Sequence, residues 1–296
     1  MSKFQKVLVL LASHNGMRWV DEQIQSIHAQ RDVHAEVVVS DDLSTDGTLE
    51  YLKNSSDIRL LSSEKGFGSA GKNFFYLLKN ADFNDYDYIA FSDQDDIWHP
   101  DKIVSAIECL LKFSCDGYSG NVTAFYSDGR KVLLNKSQPQ TEFDYLFEGA
   151  GPGCTYVISH KLASLVKEQL IKHDVTVDSI ELHDWLTYAI ARSHGMKWYI
   201  DSRPFLLYRQ HENNSLGAHL GISAIRYRLK LLKSGWYRRQ VNAISTAVNM
   251  DSHPFLMMAL NKSYIGRLYL AIHSYKIRRR KKEALALAFL ALIGWF

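Results

Sequence analysis

The sequence predicts an α/β fold in which a mostly parallel mixed sheet is flanked by helices and followed by a basic helical region. Short β-rich runs alternate with helical patterns up to about residue 100, and this alternation predicts βαβ units. The chain has 296 residues, 46% of them hydrophobic, which suffices for one large domain or one domain with an appendage. Positive charge is concentrated in residues 222–296, where the patterns are helical.

The first half of the predicted sheet comes from four strands and the helices between them. The strand-like runs are KVLVLLA, AEVVVS, IRLLSS and YDYIAFS, and the helical runs are WVDEQIQSIHAQ, TDGTLEYLKN and KNFFYLLKN. The apolar run Val7 to Ala12 is too short for a signal peptide, so we interpret it as the first strand. Parallel strands covered by helices on both faces are expected here.

The second half of the sheet is predicted to be mixed. A helix over DKIVSAIECLLKF precedes VTAFYS, SDGRK and KVLL, which together indicate a β-hairpin. The glycine-rich loop GAGPGC leads into a short strand, and HKLASLVKEQLIKH and HDWLTYAIARSHG are amphipathic helix patterns. The run MKWYIDSRPFLLYRQHENNS indicates a strand, a turn and a polar loop.

Charge, cysteine content and apolar run lengths limit the cellular environments and the kinds of site that fit this sequence. Residues 1–221 contain 21 Lys/Arg and 30 Asp/Glu, whereas residues 222–296 contain 14 and two. Three cysteines without metal-ligand spacing predict neither a disulfide framework nor a zinc site, and a reducing, cytoplasmic setting fits them best. No stretch reaches the roughly 18 to 20 apolar residues of a transmembrane helix.

Acidic side chains gather where predicted strands end. The run YIAFSDQDDIWHPDK holds Asp93, Asp95, Asp96 and Asp101, and polar loops also follow two other strands, at residues 12–15 and 40–48. Carboxyl ends of parallel strands form the usual ligand site of such sheets, so these loops should lie side by side. Crowded carboxylates repel one another unless a cation or a proton neutralises them. The cluster therefore predicts a metal site or a catalytic proton.

Two segments resemble the family 2 glycosyltransferases, which have the Rossmann-like GT-A fold. VVVSDDLSTDGT is similar to that family's V-D-D-x-S-x-D-G-T segment, and FSDQDDIWHPDKI to its metal-binding D-x-D-D-x-W-x-P segment. The resemblance covers roughly residues 4–218. It implies a catalytic domain at 1–221, with nucleotide-sugar binding in 1–100 and the acceptor side and base in 101–221, and a separate region at 222–296.

The resemblance implies the donor site residue by residue. Asp95 would bind a divalent cation directly, and Asp93 would contact the ribose or reach the metal through water. The segment YRQHENNSLGA resembles one in bacterial rhamnosyltransferases of surface polysaccharide synthesis; its His211 would complete the metal shell, and imidazole suits Mn²⁺ better than Mg²⁺. Arg209 would meet the diphosphate. The remaining implied contacts are Asp42 to N3–H of a uracil or thymine, Ala12, His14 and Asn15 around that base, and Gly153 under the donor sugar.

The acceptor side is implied by the same likeness. Asp184, in ELHDWLTY, matches the position of the general base; alone, it could equally be an acid favoured at a helix N-terminus. Trp185 would form a sugar-stacking wall or belong to the core. Gly151 and Cys154 lie in the glycine loop expected under the sugars, although a plain turn also explains its glycines. Asp46 and Gly47 are interpreted as structural, with Ser44 or Thr45 capping the following helix.

The basic region 222–296 has three interpretations. Its side chains Arg226, Arg228, Lys230 and Lys233 could bind nucleic-acid phosphates, or the helices could pack on the catalytic domain. A membrane surface fits better, because IRRRKK precedes ALALAFLALIGWF, which is too short to cross a bilayer but suits its interface. Membrane contact would suit a lipid-linked acceptor.

The function expected is an inverting, metal-dependent glycosyltransferase at the inner face of the plasma membrane. The donor favoured by the resemblance is dTDP-L-rhamnose, with UDP-linked galactose, glucose or N-acetylhexosamine as alternatives, and Mn²⁺ or Mg²⁺ as cofactor. An alternative of another class is a non-catalytic nucleotide- or nucleic-acid-binding protein, which the net negative charge of residues 1–221 disfavours. We expect no nucleic-acid partner.

Overall fold

The computed structural model describes residues 4–211, 230–231 and 233–296. Contacts divide the chain into two compact units. The first unit comprises Met1–Ser137, Ala150–Lys172 and Glu181–Gly217, and the second comprises Gln138–Gly149, His173–Ile180 and Ala218–Phe296. The domain boundary expected at residue 221 lies outside the described residues, as do Arg226 and Arg228.

The first unit is built on a nine-stranded mixed sheet, which confirms the α/β prediction. Its order is β3-β2-β1-β4-β8-β6-β9-β5, with β7 paired to β6. Strands β1 to β4 are parallel, whereas β8 runs antiparallel to β4 and β6. The strands are β1 Gln5–Ser13, β2 Val33–Asp41, β3 Ile58–Leu61, β4 Tyr88–Ser92, β5 Ile97–Trp98, β6 Gly117–Phe125, β7 Lys131–Leu134, β8 Val157–Ser159 and β9 Trp198–Arg209.

Amphipathic helices cover this sheet. In the first of them, Val20, Ile24 and Ile27 recur at helical spacing and are buried, so one stripe of the helix faces the core. The buried core includes the central segments of β1, β2 and β4. The helices of the first unit are α1 Val20–His28, α2 Thr48–Asn54, α3 Ala70–Asn80, α4 Lys102–Phe113, α5 His160–Lys172 and α7 His183–Ser193, and α6 Asp174–Val177 belongs to the second unit.

The strand order places three polar loops at one edge of the sheet. Strand β1 lies between β2 and β4 and is parallel to both, with Ser13 opposite Asp41 and Leu11 opposite Ser92. The loops that follow these strands are therefore neighbours, which confirms the sequence prediction. The hairpin predicted around SDGRK is also present, as β6 and β7.

Two local predictions were wrong. The segment after Met196 was expected to form a strand and then a turn, but Trp198–Arg209 is one uninterrupted strand, and its pairing with β6 shifts register beside Asn121, opposite Pro204. A register irregularity accommodates proline, which has no N–H to donate to a ladder. The cap of α2 was expected from Ser44 or Thr45; instead Oδ1 of Asp46 accepts the N–H of Thr48 at 3.1 Å.

The second unit is helical, as predicted for the C-terminal region. Its further helices are α8 Trp236–Ala247, α9 Pro254–Ala259, α10 Tyr264–Ile272 and α11 Lys281–Leu292. A buried ion pair, 3.1 Å long, joins Arg279 to Asp144, and the Arg279 N–H donates to Glu148. These contacts attach the segment Gln138–Gly149 to the C-terminal helices. Among the described residues, no helix combines the length and apolarity that crossing a membrane requires.

Candidate active site

All of the predicted site residues lie in the first unit, and those in the loops after β1, β2 and β4 lie at the edge of the sheet where these strands end. Gln94 connects two of the loops there. Its Oε1 accepts hydrogen bonds from the Ser13 hydroxyl at 3.1 Å and the His14 N–H at 2.8 Å, and its Nε2 donates to the His14 carbonyl at 2.9 Å. A Cβ on Gly16 would lie 2.1 Å from the same Oε1. The amide thus fixes the loop after β1 against the acidic loop after β4.

Replacing Gln94 by alanine should loosen this edge. Three hydrogen bonds would lose their partner, so Gln94→Ala is expected to lower the free energy of unfolding by about 1–3 kcal/mol and to raise the KM for the donor. Urea unfolding and steady-state kinetics measure the two effects. Gln25→Ala, which removes an exposed amide on α1, serves as the control. An unchanged KM in Gln94→Ala would show that the hydrogen bonds of Gln94 do not shape the predicted donor site.

The residues predicted around the base form a local network. The Nδ1 of His14 donates to the carbonyl of Asp42 at 2.8 Å, so its Nε2 is the acceptor for the Asn15 amide at 3.1 Å. Asn15 has a positive φ of 48° and its Oδ1 accepts the N–H of Thr45 at 2.8 Å. Ala12 is buried at the end of β1, opposite Ser40. These contacts hold the loops after β1 and β2 in one arrangement.

Both acids at the end of β2 accept local hydrogen bonds. Asp42 accepts the N–H groups of Phe67 and Gly68, the latter at 2.9 Å. Asp41 accepts the N–H and the hydroxyl of Ser44, at 2.8 and 2.6 Å. The Asp42 carboxylate is therefore held against the loop before α3, and its predicted contact with a pyrimidine base stays a prediction.

Two acids of the acidic loop form a cluster of titratable groups with Cys154, in which Asp96 and Cys154 are buried and Asp93 is partly buried. Ligand atoms of Asp93, Asp96 and Cys154 lie within 4.8 Å of one another. Burial, followed by the charges of Asp95 and Asp184, raises the pKa of Asp93 to about 7. Burial likewise raises the pKa values of Asp96 and of the Cys154 thiol well above their ordinary values. Crowded carboxylates favour neutralisation by a cation or by a proton, the two alternatives that the sequence left open.

Asp95 and His211 converge on one point. The Nε2 of His211 lies 2.6 Å from Oδ2 of Asp95, and the imidazole stacks on Trp19 with ring centroids 4.3 Å apart. Carboxylates and imidazoles are both ligands of divalent cations of the Mn²⁺ type, and the hydrogen bond between Asp95 and His211 is the contact that such a cation would replace. The donor set at this edge therefore fits the predicted metal.

Arg209 is a neighbour of the same loop. Its Nε donates to the Asp95 carbonyl at 2.8 Å, its N–H donates to Asp96 at 3.2 Å, and its Nη2 lies 2.5 Å from a Glu22 carboxylate oxygen. The side chain therefore positions the acidic loop in this structure. Its predicted contact with a diphosphate stays a prediction.

Asp184 lies at the N-terminus of α7, within electrostatic reach of Asp93. Burial raises the pKa of Asp184 to about 6, and a hydrogen bond from the Trp185 N–H, 2.8 Å long, opposes that rise. The ring of His183 stacks on Phe74 at 3.8 Å, and burial lowers its pKa to about 3, so it is neutral near pH 7. A desolvated carboxylate beside a neutral imidazole can accept a proton at neutral pH. Trp185 itself is 3% exposed, and its role at an acceptor stays a prediction.

The glycine loop passes close to this helix. A Cβ on Gly153 would lie 2.8 Å from Nε2 of His183 and 3.1 Å from the Cβ of Asp184. Gly151 has a φ of 139°, which side chains rarely adopt, and Cys154 is fully buried. Gly153 is therefore needed where the backbone approaches His183 and Asp184.

Gly153→Ala should displace Asp184. Overpacking against His183 is expected to cost about 1–3 kcal/mol of unfolding free energy, and the shift of Asp184, the predicted base, should lower kcat. Urea titration and kinetics test this. Gly129→Ala is the matched control: its positive φ of 83° costs stability, but its Cβ would meet nothing within 4 Å, so kcat should stay at the wild-type value. Wild-type kcat in Gly153→Ala would contradict the close approach.

Several residues of the site had not been predicted as functional. Gln94 and Trp19 are described above, and Asn73 of α3 donates to the carbonyls of Ser13 at 3.2 Å and Ser40 at 3.0 Å, which ties the ends of β1 and β2. Lys102 is buried with its Nζ 3.5 Å from the centre of the Trp98 ring, and burial lowers its pKa to about 7. Of these, only Gln94 had a sequence signal, since it lies between Asp93 and Asp95.

Comparison with known sequences supports one family. The model for "Glycosyl transferase family 2" matches residues 8–161. A protein described as dTDP-rhamnosyl transferase RfbG of Shigella flexneri is 46% identical over 97% of this chain and all of its own length. A UDP-Glc:alpha-D-GlcNAc-diphosphoundecaprenol beta-1,3-glucosyltransferase, WfgD of Escherichia coli, is 30% identical over 51% of this chain and 59% of its own length.

Solved structures agree on the fold. Residues 1–349 of TarS from S. aureus, in complex with UDP-GlcNAc, superpose with a TM-score of 0.56 at 17% identity, covering 98% of this chain and 92% of that one. The same fragment in complex with UDP gives the same TM-score. This level of identity supports the GT-A fold alone. From the family match and the extensive likeness to RfbG, we conclude that the chain is a glycosyltransferase and belongs to glycosyl transferase family 2.

Proposed function

We propose that this enzyme transfers L-rhamnose from dTDP-L-rhamnose to a lipid-linked oligosaccharide, with inversion at the anomeric carbon. The observation that carries the proposal is that the acidic loop lies close to Asp184: Asp93 and Asp96 cluster with Cys154, and a Cβ on the adjacent Gly153 would lie 3.1 Å from the Cβ of Asp184. It brings a candidate donor site and a candidate base into one cluster. The near full-length similarity to a dTDP-rhamnosyl transferase supports the choice of donor.

Asp184 is the proposed general base. Its carboxylate takes the proton of the acceptor hydroxyl, whose oxygen attacks the anomeric carbon of the donor. The bond from that carbon to the diphosphate breaks in the same displacement, and dTDP leaves with the electron pair. Burial of Asp184 suits this role because the raised pKa, about 6, brings its basicity closer to neutral pH.

The acidic loop is the proposed site of a divalent cation, Mn²⁺ or Mg²⁺, such as the family typically uses. Asp95 and His211 would hold it, with Asp93 bound directly or through water. The cation would supply neutralisation of the charge on the departing diphosphate. Arg209, which already contacts Asp95, would add a positive charge on the same side.

The loops after β1 and β2 are the proposed base-binding site. Asp42 would accept N3–H of the pyrimidine, while Ala12, His14 and Asn15 would border the ring. Uracil and thymine share that N–H, so this contact does not separate them. A UDP-hexose donor is the second candidate, since WfgD, which is similar over half of the chain, is described as using UDP-Glc.

The acceptor is proposed to bind on the side of Gly151, Gly153, Cys154 and Trp185, at the cytoplasmic face of the plasma membrane. On this proposal, residues 1–221 form the catalytic domain and residues 222–296 contact anionic lipid. The basic character of the second part supports membrane contact: 14 Lys/Arg face two Asp/Glu there.

A transfer assay tests the proposal. Purified protein with Mn²⁺ is incubated with lipid-linked oligosaccharides and either dTDP-L-rhamnose or UDP-glucose, and the lipid products are analysed by mass spectrometry. The expected result is addition of one deoxyhexose from the dTDP donor only, at a rate that Asp184→Asn lowers by roughly 10²-fold or more. Addition of a hexose from the UDP donor instead would replace the rhamnosyl assignment by the second candidate.

A further inference from the structure

The second unit contains a pocket with basic and aromatic walls. Its volume is about 310 Å³, and its lining includes four cations, Lys233, Arg238, Lys262 and Arg267; we call this set the basic pocket. No Asp or Glu side chain is among the lining residues that the structure describes. A concave site with four cations and no acidic side chain in its walls favours an anion.

Among the described residues, no acidic side chain neutralises the cations of the basic pocket. In the described part of the chain, none of the four forms an ion pair with Asp or Glu. Arg238 is oriented by main-chain acceptors instead: its guanidinium donates to the carbonyl of Leu260 and, at 2.9 Å, to that of Phe296. Burial, and then the nearby charge of Arg267, lower the pKa of Arg238. A bound anion would relieve this repulsion.

Aromatic rings complete the pocket. The Nζ of Lys233 lies 4.2 Å from the centre of the Trp295 ring, and the Arg238 guanidinium lies 5.0 Å from that of Phe296. Trp295 is itself 39% exposed. Tryptophan with flanking cations is typical of protein surfaces at the level of lipid headgroups.

Apolar side chains are exposed directly beside the pocket. On α10, which contains Arg267, the exposed set is Tyr264, Ile265, Leu268 and Ile272, and its spacing puts them on one face. On α11, which ends just before Trp295, Leu285, Phe289 and Leu292 are exposed at helical spacing. Helices α10 and α11 contact each other. Leu285 is 72% exposed and Phe289 62% exposed. Exposed apolar patches of this kind mark surfaces that bind a partner or a membrane.

The positive charge of the second unit favours an anionic membrane surface as its partner. Described residues 230–231 and 233–296 contain 12 Lys/Arg against Asp251 and Glu283. An apolar helix face bordered by cations is the pattern of helices that lie in a bilayer interface, where the cations meet anionic headgroups. A second copy of the chain would bring the same positive charge to the contact, which repels.

We propose that this end of the second unit docks on an anionic bilayer. The basic pocket takes the phosphate of a membrane lipid, and the exposed faces of α10 and α11 enter the boundary between headgroups and acyl chains. This deepens the membrane contact of the proposed function by naming its residues. It does not depend on which sugar is transferred.

Vesicle flotation of the full-length protein tests the proposal. One set of vesicles is phosphatidylcholine alone, and the other is an equal mixture of phosphatidylcholine and phosphatidylglycerol. Wild type should bind the anionic vesicles and bind neutral ones much more weakly. Lys262→Glu/Arg267→Glu should lower partitioning at least about tenfold, because each cation near a charged surface contributes several-fold to binding. Ile265→Ser/Leu285→Ser should also lower it, with all charges kept.

The matched control is Lys161→Glu/Lys172→Glu, which makes the same charge change at exposed positions on α5 and should bind like wild type. Lys262→Gln/Arg267→Gln repeats the pocket test without introducing acids. Equal binding of neutral and anionic vesicles, or wild-type binding by the pocket variants, would overturn the proposal. The proposal would also be overturned if the wild type bound no vesicles and instead self-associated in sedimentation experiments, with the self-association abolished by Ile265→Ser/Leu285→Ser.

Two further measurements distinguish a lipid phosphate from a free phosphate ion, and separate this proposal from that of the sugar donor. Stabilisation by inorganic phosphate that needs Lys262 and Arg267, without vesicle binding, would assign the pocket to a free anion and overturn the lipid assignment. The thermal shift induced by dTDP-L-rhamnose should be the same in Lys262→Glu/Arg267→Glu as in wild type. Vesicle binding as expected, with no nucleotide-sugar shift in either protein, would count against the proposed donor while leaving this inference intact.

Discussion

Asp184→Asn should lower kcat by roughly 10²-fold or more, with little change in the affinity for the donor. The amide has nearly the shape of the carboxylate but cannot accept the acceptor's proton. The variant should fold normally, because the hydrogen bond from the Trp185 N–H to Oδ1 of Asp184 can be kept by the amide oxygen. Steady-state kinetics with saturating donor measure the loss.

The pH profile provides a second test of the base. A raised pKa means that Asp184 becomes protonated, and inactive as a base, as pH falls through about 6. In wild type, kcat should therefore fall about tenfold per pH unit below that value and level off above it. The control is Asp178→Asn, which removes an exposed carboxyl. A kcat within a few fold of wild type in Asp184→Asn would assign the base to another group.

Asp95→Asn should have the largest effect on turnover, at least about 10³-fold, because loss of cation binding removes several kcal/mol of charge stabilisation. It should also weaken binding of the diphosphate. Chelation of divalent cations in wild type should have the same consequences, and added Mn²⁺ should reverse them. Measured kcat values and nucleotide affinities of both samples test this expectation.

Asp101→Asn is the matched control for Asp95→Asn. Asp101 belongs to the same acidic run, but it lies 3.5 Å from Arg31 with 38% of its side chain exposed, so its loss should leave kcat near the wild-type value. If Asp95→Asn keeps metal-dependent turnover, the ligand assignment is wrong.

Much of the first unit could be predicted because its signals are local. Alternating strand and helix patterns indicated the parallel β1, β2 and β4, and a parallel sheet brings their polar ends together without further information. The hydrogen bonds of Gln94 could not be predicted in the same way, because its partner His14 lies 80 positions away in the sequence. A hydrogen bond of that kind depends on register and rotamer, which a single sequence does not encode in any short pattern.

Local rules failed where tertiary contacts outweighed them. A turn was predicted within MKWYIDSRPFLLYRQHENNS, yet pairing with β6 keeps Trp198–Arg209 extended by means of a register shift. The second unit shows the same limit. Nothing in the sequence assigned Gln138–Gly149 or His173–Ile180 to the unit of the C-terminal helices. In the first segment, the Phe143 N–H donates to the Lys276 carbonyl at 2.8 Å. In the second, the Ser179 carbonyl accepts a hydrogen bond from the Gln240 side chain at 2.9 Å.

The central claim is that the acidic loop binds the diphosphate of dTDP-L-rhamnose with a divalent cation. The most direct measurement is the thermal stability of the purified protein with Mn²⁺ against a panel of nucleotides and nucleotide sugars, repeated with Asp95→Ala. We expect the largest increase with dTDP-L-rhamnose, dependent on Mn²⁺ and absent from the variant. No increase with any nucleotide, or an equal increase in Asp95→Ala, would contradict the claim.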